Sequence, residues 1–222
     1  MKKEDLTKVL DILRKEFPKW NAPVVHMIAQ HNNDPFRVLV CALLSTRTKD
    51  ELTWKVCKSF FERIKSVEDL LNLPTNEIEK LIYPVGFYRV KAKQLKEIAK
   101  ILVNEYDKRV PDKLEDLLKL PGVGRKVGNL ILSKGFNKPA IVVDIHVHRI
   151  VNRWCLVKTN NPTETEFKLM EIVPKKLWSD INYLLVAFGQ TICLPRNPKC
   201  SLCPIEKFCG KCFSMDTHGH KL

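Results

Sequence analysis

KLEDLLKLPGVGRKVGNLILSKGFNKPAIVVDIHVHR, residues 113–149, is the stretch around which this chain is organised. The spacing predicts a short helix over Asp112–Leu120, opened in capping-box fashion by Asp112 with Glu115. Pro121-Gly122-Val123-Gly124 predicts a tight turn, and Arg125–Lys134 a second helix. Two glycines in four residues let the backbone take positive φ and bring its amides close to a ligand. Those amides stand at a helix N-terminus, where unpaired N–H groups and the macrodipole favour an anion. Such a hairpin grips a nucleic-acid phosphate without reading a base. Lys126 stands just beyond the turn, after Arg125, and the apolar run Ala140–Val143 ends in Asp144. An amine and a carboxylate flanking a phosphate grip point to chemistry rather than binding alone.

Outward from the hairpin, the pattern is helical throughout. Leu6, Val9, Leu10, Leu13 and Phe17 recur at helical spacing until Pro18 stops the run. Asp34-Pro35 reads as cap and first residue of a helix, and Phe36–Leu44 is apolar almost all round, so it belongs in a core. A polar loop, Ser45–Asp50, precedes an amphipathic Leu52–Ile64. Ser66 and Thr75 read as caps, Pro84-Val85-Gly86 as a turn, and Tyr88–Tyr106 as a helix with Leu95, Ile98, Ala99 and Leu102 on one face. Beyond Asp144 a helix is expected to about Trp154, another capped by Thr163 with Glu166, and a last one over Trp178–Thr191. The sole strand-like run, Ile141–Val143, is too short for a sheet. The expected fold class is all-α.

Composition limits the partners. The 222 residues carry 38 basic against 25 acidic side chains, a net charge of +13. That balance suits a polyanion, although a merely soluble basic surface would look the same. No apolar run reaches membrane-spanning length, and the first residues lack a secretory leader, so the protein is expected to stay inside the cell, cytoplasmic and nucleoid-associated if prokaryotic. Of eight cysteines, Cys41, Cys57 and Cys155 sit in apolar helical contexts and read as inert core. Disulfides are not expected in that compartment. Four more crowd into 193–209, and Cys212 lies just beyond.

Leu-Pro-Gly-Val-Gly-Arg-Lys at 120–126, Val-Asp-Ile-His at 143–146 and the four-cysteine loop together resemble the endonuclease III family, from about Pro35 to Cys209. These are bifunctional DNA glycosylase/AP lyases of the helix-hairpin-helix, Gly/Pro…Asp superfamily. The resemblance implies two helical domains flanking a DNA-binding cleft: a helical barrel over 28–138, and a cluster domain from 1–27 with 139–222. It implies Lys126 as a Schiff-base nucleophile, since a helix N-terminus and Arg125 both disfavour an ammonium there. The bland alternative is a phosphate-binding lysine. Asp144 would stabilise an oxocarbenium-like transition state and help activate Lys126, besides capping its helix. His146 would orient Asp144, touch phosphate, or simply pack.

Cys193, Cys200, Cys203 and Cys209 match the family's spacing for a 4Fe–4S cluster. The rival is zinc on Cys200, Cys203, Cys209 and Cys212, but its five-residue gap is short and Cys193 would be idle. Gly122, Gly124 and Arg125 would hold the DNA backbone. Arg47 would fill the space left by a flipped nucleotide and Phe87 would wedge the stack, where familiar members carry Gln and Leu. Val127-Gly128 stands where Thr-Ala is common. The expected protein is a monomer acting on duplex DNA, excising oxidised pyrimidines and nicking the abasic strand. Alternatives are a mismatch thymine or uracil glycosylase on the same scaffold, and a non-enzymatic DNA-binding module.

Overall fold

The computed structural model describes residues 1–31 and 34–213. Among them run twelve α-helices: α1 (Leu6–Glu16), α2 (Val24–His31), α3 (Pro35–Ser45), α4 (Asp50–Arg63), α5 (Val67–Asn72), α6 (Thr75–Ile82), α7 (Tyr88–Glu105), α8 (Leu114–Leu117), α9 (Arg125–Gly135), α10 (Ile145–Arg153), α11 (Pro162–Ile172) and α12 (Trp178–Thr191). No strand occurs among the described residues. Ile141–Val143 is buried, and Asn182 Nδ2 donates to the Val142 carbonyl at 3.3 Å. No helix among these residues is long and apolar enough to cross a membrane.

The chain forms two compact units, residues 24–138 and residues 1–23 with 139–222. The first boundary falls before α2, a helix the sequence reading did not identify, rather than within it. In the 24–138 unit α3 is the central element, packed against α2, α4, α7 and α9. Its apolar circumference explains that position, since Phe36 and every residue from Val38 to Leu44 are buried. The Asp34 carboxylate caps it, accepting from Phe36 N and Arg37 N at 3.3 Å each. In the other unit Leu6, Leu10 and Leu13 of α1 share a core with Ile150 and Trp154 by α10 and Leu184 and Phe188 of α12. Truncating such a buried leucine to alanine costs roughly 2–5 kcal/mol.

Several caps differ from their sequence reading. Ser66 does form a capping box with Asp69. Asp112, however, does not cap the first hairpin helix; its carboxylate pairs with Lys138 Nζ at 2.6 Å, which holds it below the ordinary carboxylate range. That helix shrinks to Leu114–Leu117, capped by Lys113 without a side-chain bond, and winds on to Leu120 in tight turns. Thr75 is the first residue of α6, after Pro74. Asn161, not Thr163, caps α11, accepting from Glu164 N at 2.9 Å. Only Asp112 is drawn off by a distant partner; at α6 and α11 the cap shifts by one or two residues along the chain.

Candidate functional site

The hairpin lies in the 24–138 unit. Gly122 has φ +82°, a conformation side chains rarely take, and a Cβ there would fall 2.8 Å from the Gln94 side chain. Val123 and Leu120, both buried, hold the turn from inside, while Gly122, Gly124 and Lys126 face solvent. Gly124 is the N-cap of α9, with extended backbone and no side-chain cap bond, at the helix end where intrahelical acceptors for amides run out. Gly128 has a packing reason: a Cβ there would stand 2.7 Å from Leu114 Cδ1, so α8 and α9 close tightly because the position is bare. Lys126 is the second residue of α9, an exposed amine beside the anion-favouring terminus.

Arg47 and Phe87 also fall in this unit, on two loops that touch. Both take left-handed backbone, φ +51° and +58°. The guanidinium lies 5.1 Å above the Phe87 ring, and Phe87 is 59% exposed, so it is not core. Sequence reasoning missed the residue that bonds to both loops, Lys91, which is 5% exposed. Its signal was present: Lys91 stands four residues before Leu95, on the same helical face as Leu95, Ile98 and Leu102.

Asp144 belongs to the other unit, as N-cap of α10; its Oδ1 accepts from His146 N and Val147 N, both at 2.9 Å. The carboxylate is partly exposed, so capping leaves it open to a second role. The His146 ring lies 3.2 Å from Arg149 Nη2, which also donates to the Cys193 carbonyl at 2.9 Å. His146 is thereby joined to the loop that follows α12.

Cys193, Cys200, Cys203 and Cys209 line one partly open pocket. The buried Arg153 guanidinium sits beside it, 3.6 Å from Cys193 Sγ, and anchors the loop by donating to the Leu194 and Pro195 carbonyls at 2.6 and 2.7 Å. Burial pushes the Cys203 thiol up to about 11, so metal binding there would displace its proton. Among the described residues no three His, Cys, Asp or Glu side chains converge on one point, as a single zinc would need. Four thiols around a cavity, with a buried cation to offset their charge, fit a polynuclear cluster.

Cys212 is not available as a zinc ligand, because it forms a disulfide with Cys155. This corrects two expectations, that Cys155 is inert core and that disulfides are absent. The chain leaving the cluster loop folds back on the end of α10: Cys212 N donates to the Arg153 carbonyl at 2.9 Å and Gly210 N to that of Trp154 at 3.3 Å. Those bonds bring together thiols 57 residues apart in sequence. Cys41 and Cys57 are buried as expected, and burial beside Cys57 pushes the Cys41 thiol well up.

Comparison with known proteins gives a consistent result. The HhH-GPD superfamily of base excision DNA repair proteins matches residues 40–175. The iron-sulfur binding domain of endonuclease III matches residues 193–209. Endonuclease III of Thermotoga maritima is 49% identical over 176 residues, 79% of this chain and 83% of its own. Two solved structures, a non-covalent endonuclease III–DNA complex and a trapped endonuclease III–DNA covalent intermediate, each align with a TM-score of 0.85 at 33% identity. They cover 96% of this chain and 98% of theirs. A thermostable thymine-DNA glycosylase aligns with a TM-score of 0.81 at 30% identity, over 94% of both chains.

Proposed function

Because the chain belongs to the endonuclease III family of the HhH-GPD base excision repair superfamily, we propose that this DNA glycosylase/AP lyase excises oxidised pyrimidines, with Lys126 as its nucleophile and Asp144 as its electrostatic partner. The observation that carries the reading is the exposed Lys126 amine, set two residues beyond a hairpin turn whose glycines open the backbone to a phosphate.

In this reading Gly122, Gly124 and Arg125 hold the backbone of duplex DNA, and the target nucleotide leaves the stack because its sugar is unreachable inside it. The Lys126 amine attacks C1′ as the bond to the damaged base breaks, and the base departs with a proton. Asp144 offsets positive charge developing on the sugar. Loss of the ring oxygen bond to C1′ gives an imine that acidifies the C2′ proton. Its removal expels the 3′ phosphate and nicks the strand. Arg47 and Phe87, two exposed side chains presented together, occupy the gap and support the open stack. The protein acts as a monomer.

Cys193, Cys200, Cys203 and Cys209 would hold the 4Fe–4S cluster, whose iron–thiolate bonds would pin the loop. Arg153 offsets its charge, and the lysines of that loop, Lys199 and Lys207, face the DNA backbone.

A panel of duplexes bearing ring-saturated or ring-oxidised pyrimidines, uracil or thymine mispaired with guanine, and an abasic site tests the reading, assayed with and without borohydride. Oxidised pyrimidines should be released fastest, and borohydride should trap a covalent adduct that Lys126→Ala abolishes without loss of duplex binding. Preference for mispaired thymine or uracil, or full trapping by Lys126→Ala, would refute the substrate or the nucleophile respectively.

A further inference from the structure

Left-handed backbone is uncommon for residues that carry side chains, and it persists only where surrounding structure holds it. Arg47 and Phe87 adopt it side by side. Their loops are in backbone contact: a Cβ added at Gly86 would lie 2.4 Å from the Arg47 carbonyl oxygen. Gly86 N donates to Thr48 Oγ1 at 3.1 Å.

One residue with a buried side chain reaches both loops, one through its ammonium and the other through its backbone. Lys91 stands in the first turn of α7, and its backbone N–H donates to the Phe87 carbonyl at 3.0 Å. Its Nζ donates to the Leu44 carbonyl at 2.9 Å, the Thr46 carbonyl at 2.6 Å and Thr48 Oγ1 at 3.3 Å. Three donors thus meet three acceptors. The two carbonyls end α3, where intrahelical partners run out and the macrodipole favours a cation. Thr46 and Thr48 are the immediate neighbours of Arg47. These acceptors are neutral oxygens, and burial lowers the Lys91 ammonium to about 8. A lysine kept in so costly a place is doing something that a leucine on the same face could not.

We propose that Lys91 is the positioning residue of the DNA-inserting element: its ammonium ties Thr46 and Thr48 to the start of α7, so Arg47 and Phe87 enter the duplex as one preformed unit. The proposal rests on the reading of those two residues as inserting side chains. Lys91 touches neither the reacting sugar nor the hairpin glycines. Its influence therefore falls on opening the stack and not on chemistry at an already unstacked site.

Four altered proteins test this: Lys91→Met, which keeps the stem and removes the ammonium; Thr48→Val, which removes only the bridging hydroxyl; the Arg47→Ala/Phe87→Ala pair; and that pair combined with Lys91→Met. Single-turnover excision is measured on a duplex with one ring-saturated thymine, and strand cleavage on a preformed abasic site. A fluorescent purine opposite the lesion reports stack opening. Lys91→Met should slow excision on the order of ten- to a hundred-fold, the scale of a misplaced positioning group. Thr48→Val should slow it several-fold, and abasic cleavage should stay within about threefold in both. In the Arg47→Ala/Phe87→Ala background, Lys91→Met should add less than about twofold, because residues acting through one another are not additive.

Equal slowing on both duplexes, or full additivity, would overturn the proposal and leave Lys91 as ordinary packing. If Lys91→Met fails to fold, Thr48→Val decides, and wild-type excision by that protein overturns it. Slow excision by Arg47→Ala/Phe87→Ala with normal rates in the other two refutes Lys91 alone. Normal rates in the pair refute the insertion reading, and the proposal with it.

Discussion

Gly124→Ala separates the phosphate grip from the fold. Gly124 has φ −90° and ψ 178°, ordinary extended backbone, and a Cβ there would meet nothing within 4 Å. An alanine therefore fits without strain. Its smaller unfolded-state entropy stabilises the protein by roughly 0.4–1 kcal/mol. Against that, alanine is a poorer N-cap than glycine, by roughly 0.5–1 kcal/mol. The two offset, so stability should change by less than about 0.5 kcal/mol, under roughly 2 °C in a chain of this size. Binding should respond differently. The methyl group stands at the mouth of the exposed α9 terminus, where the phosphate must approach. Losing one hydrogen bond to a charged group costs roughly 1.5–3 kcal/mol, or about ten- to a hundred-fold in affinity. Fluorescence anisotropy with an undamaged duplex, across a salt series and beside thermal melts, measures both effects. Wild-type affinity together with an unchanged melt would refute the idea that the α9 amides hold a phosphate. Gly122→Ala is the less informative change, because its φ of +82° and the Gln94 side chain at 2.8 Å damage fold and grip together.

Asp144→Asn keeps a good N-cap for α10 and removes only the charge, so melts should be nearly unchanged while base release slows by roughly a hundred-fold or more. Full activity in single-turnover assays would reduce Asp144 to a cap. Cys193→Ser should abolish the iron content and the visible absorbance, measured on purified protein. Cys212→Ser should retain both and lose thermal stability instead, by up to about 4 kcal/mol in the chain-entropy model for a bridge spanning 57 residues; iron loss in that protein would contradict the assignment. Arg47→Ala should flatten the preference among bases opposite the lesion, since the guanidinium fork suits the two major-groove acceptors of guanine better than adenine. Unchanged rates against all four bases would remove Arg47 from that role.

What could be read from the sequence alone was whatever is written in contiguous residues. The hairpin turn follows from two glycines before a helix, the burial of α3 from its apolar circumference, and the Asp34 cap from its proline neighbour. The four-cysteine loop likewise carries its spacing within seventeen residues, 193–209. Each is a short-range property, fixed by φ preferences, periodicity or ligand spacing before any distant segment arrives. The tertiary structure decided what depends on a partner far along the chain. Asp112 left its capping position for Lys138. Cys155 met Cys212 only because the chain after the cluster loop returns to the end of α10. Lys91, four residues before Leu95 on an apolar face, had the address of a core residue and the chemistry of a surface one. The carbonyls of Leu44 and Thr46, where intrahelical donors run out at the end of α3, are what make an ammonium stable there.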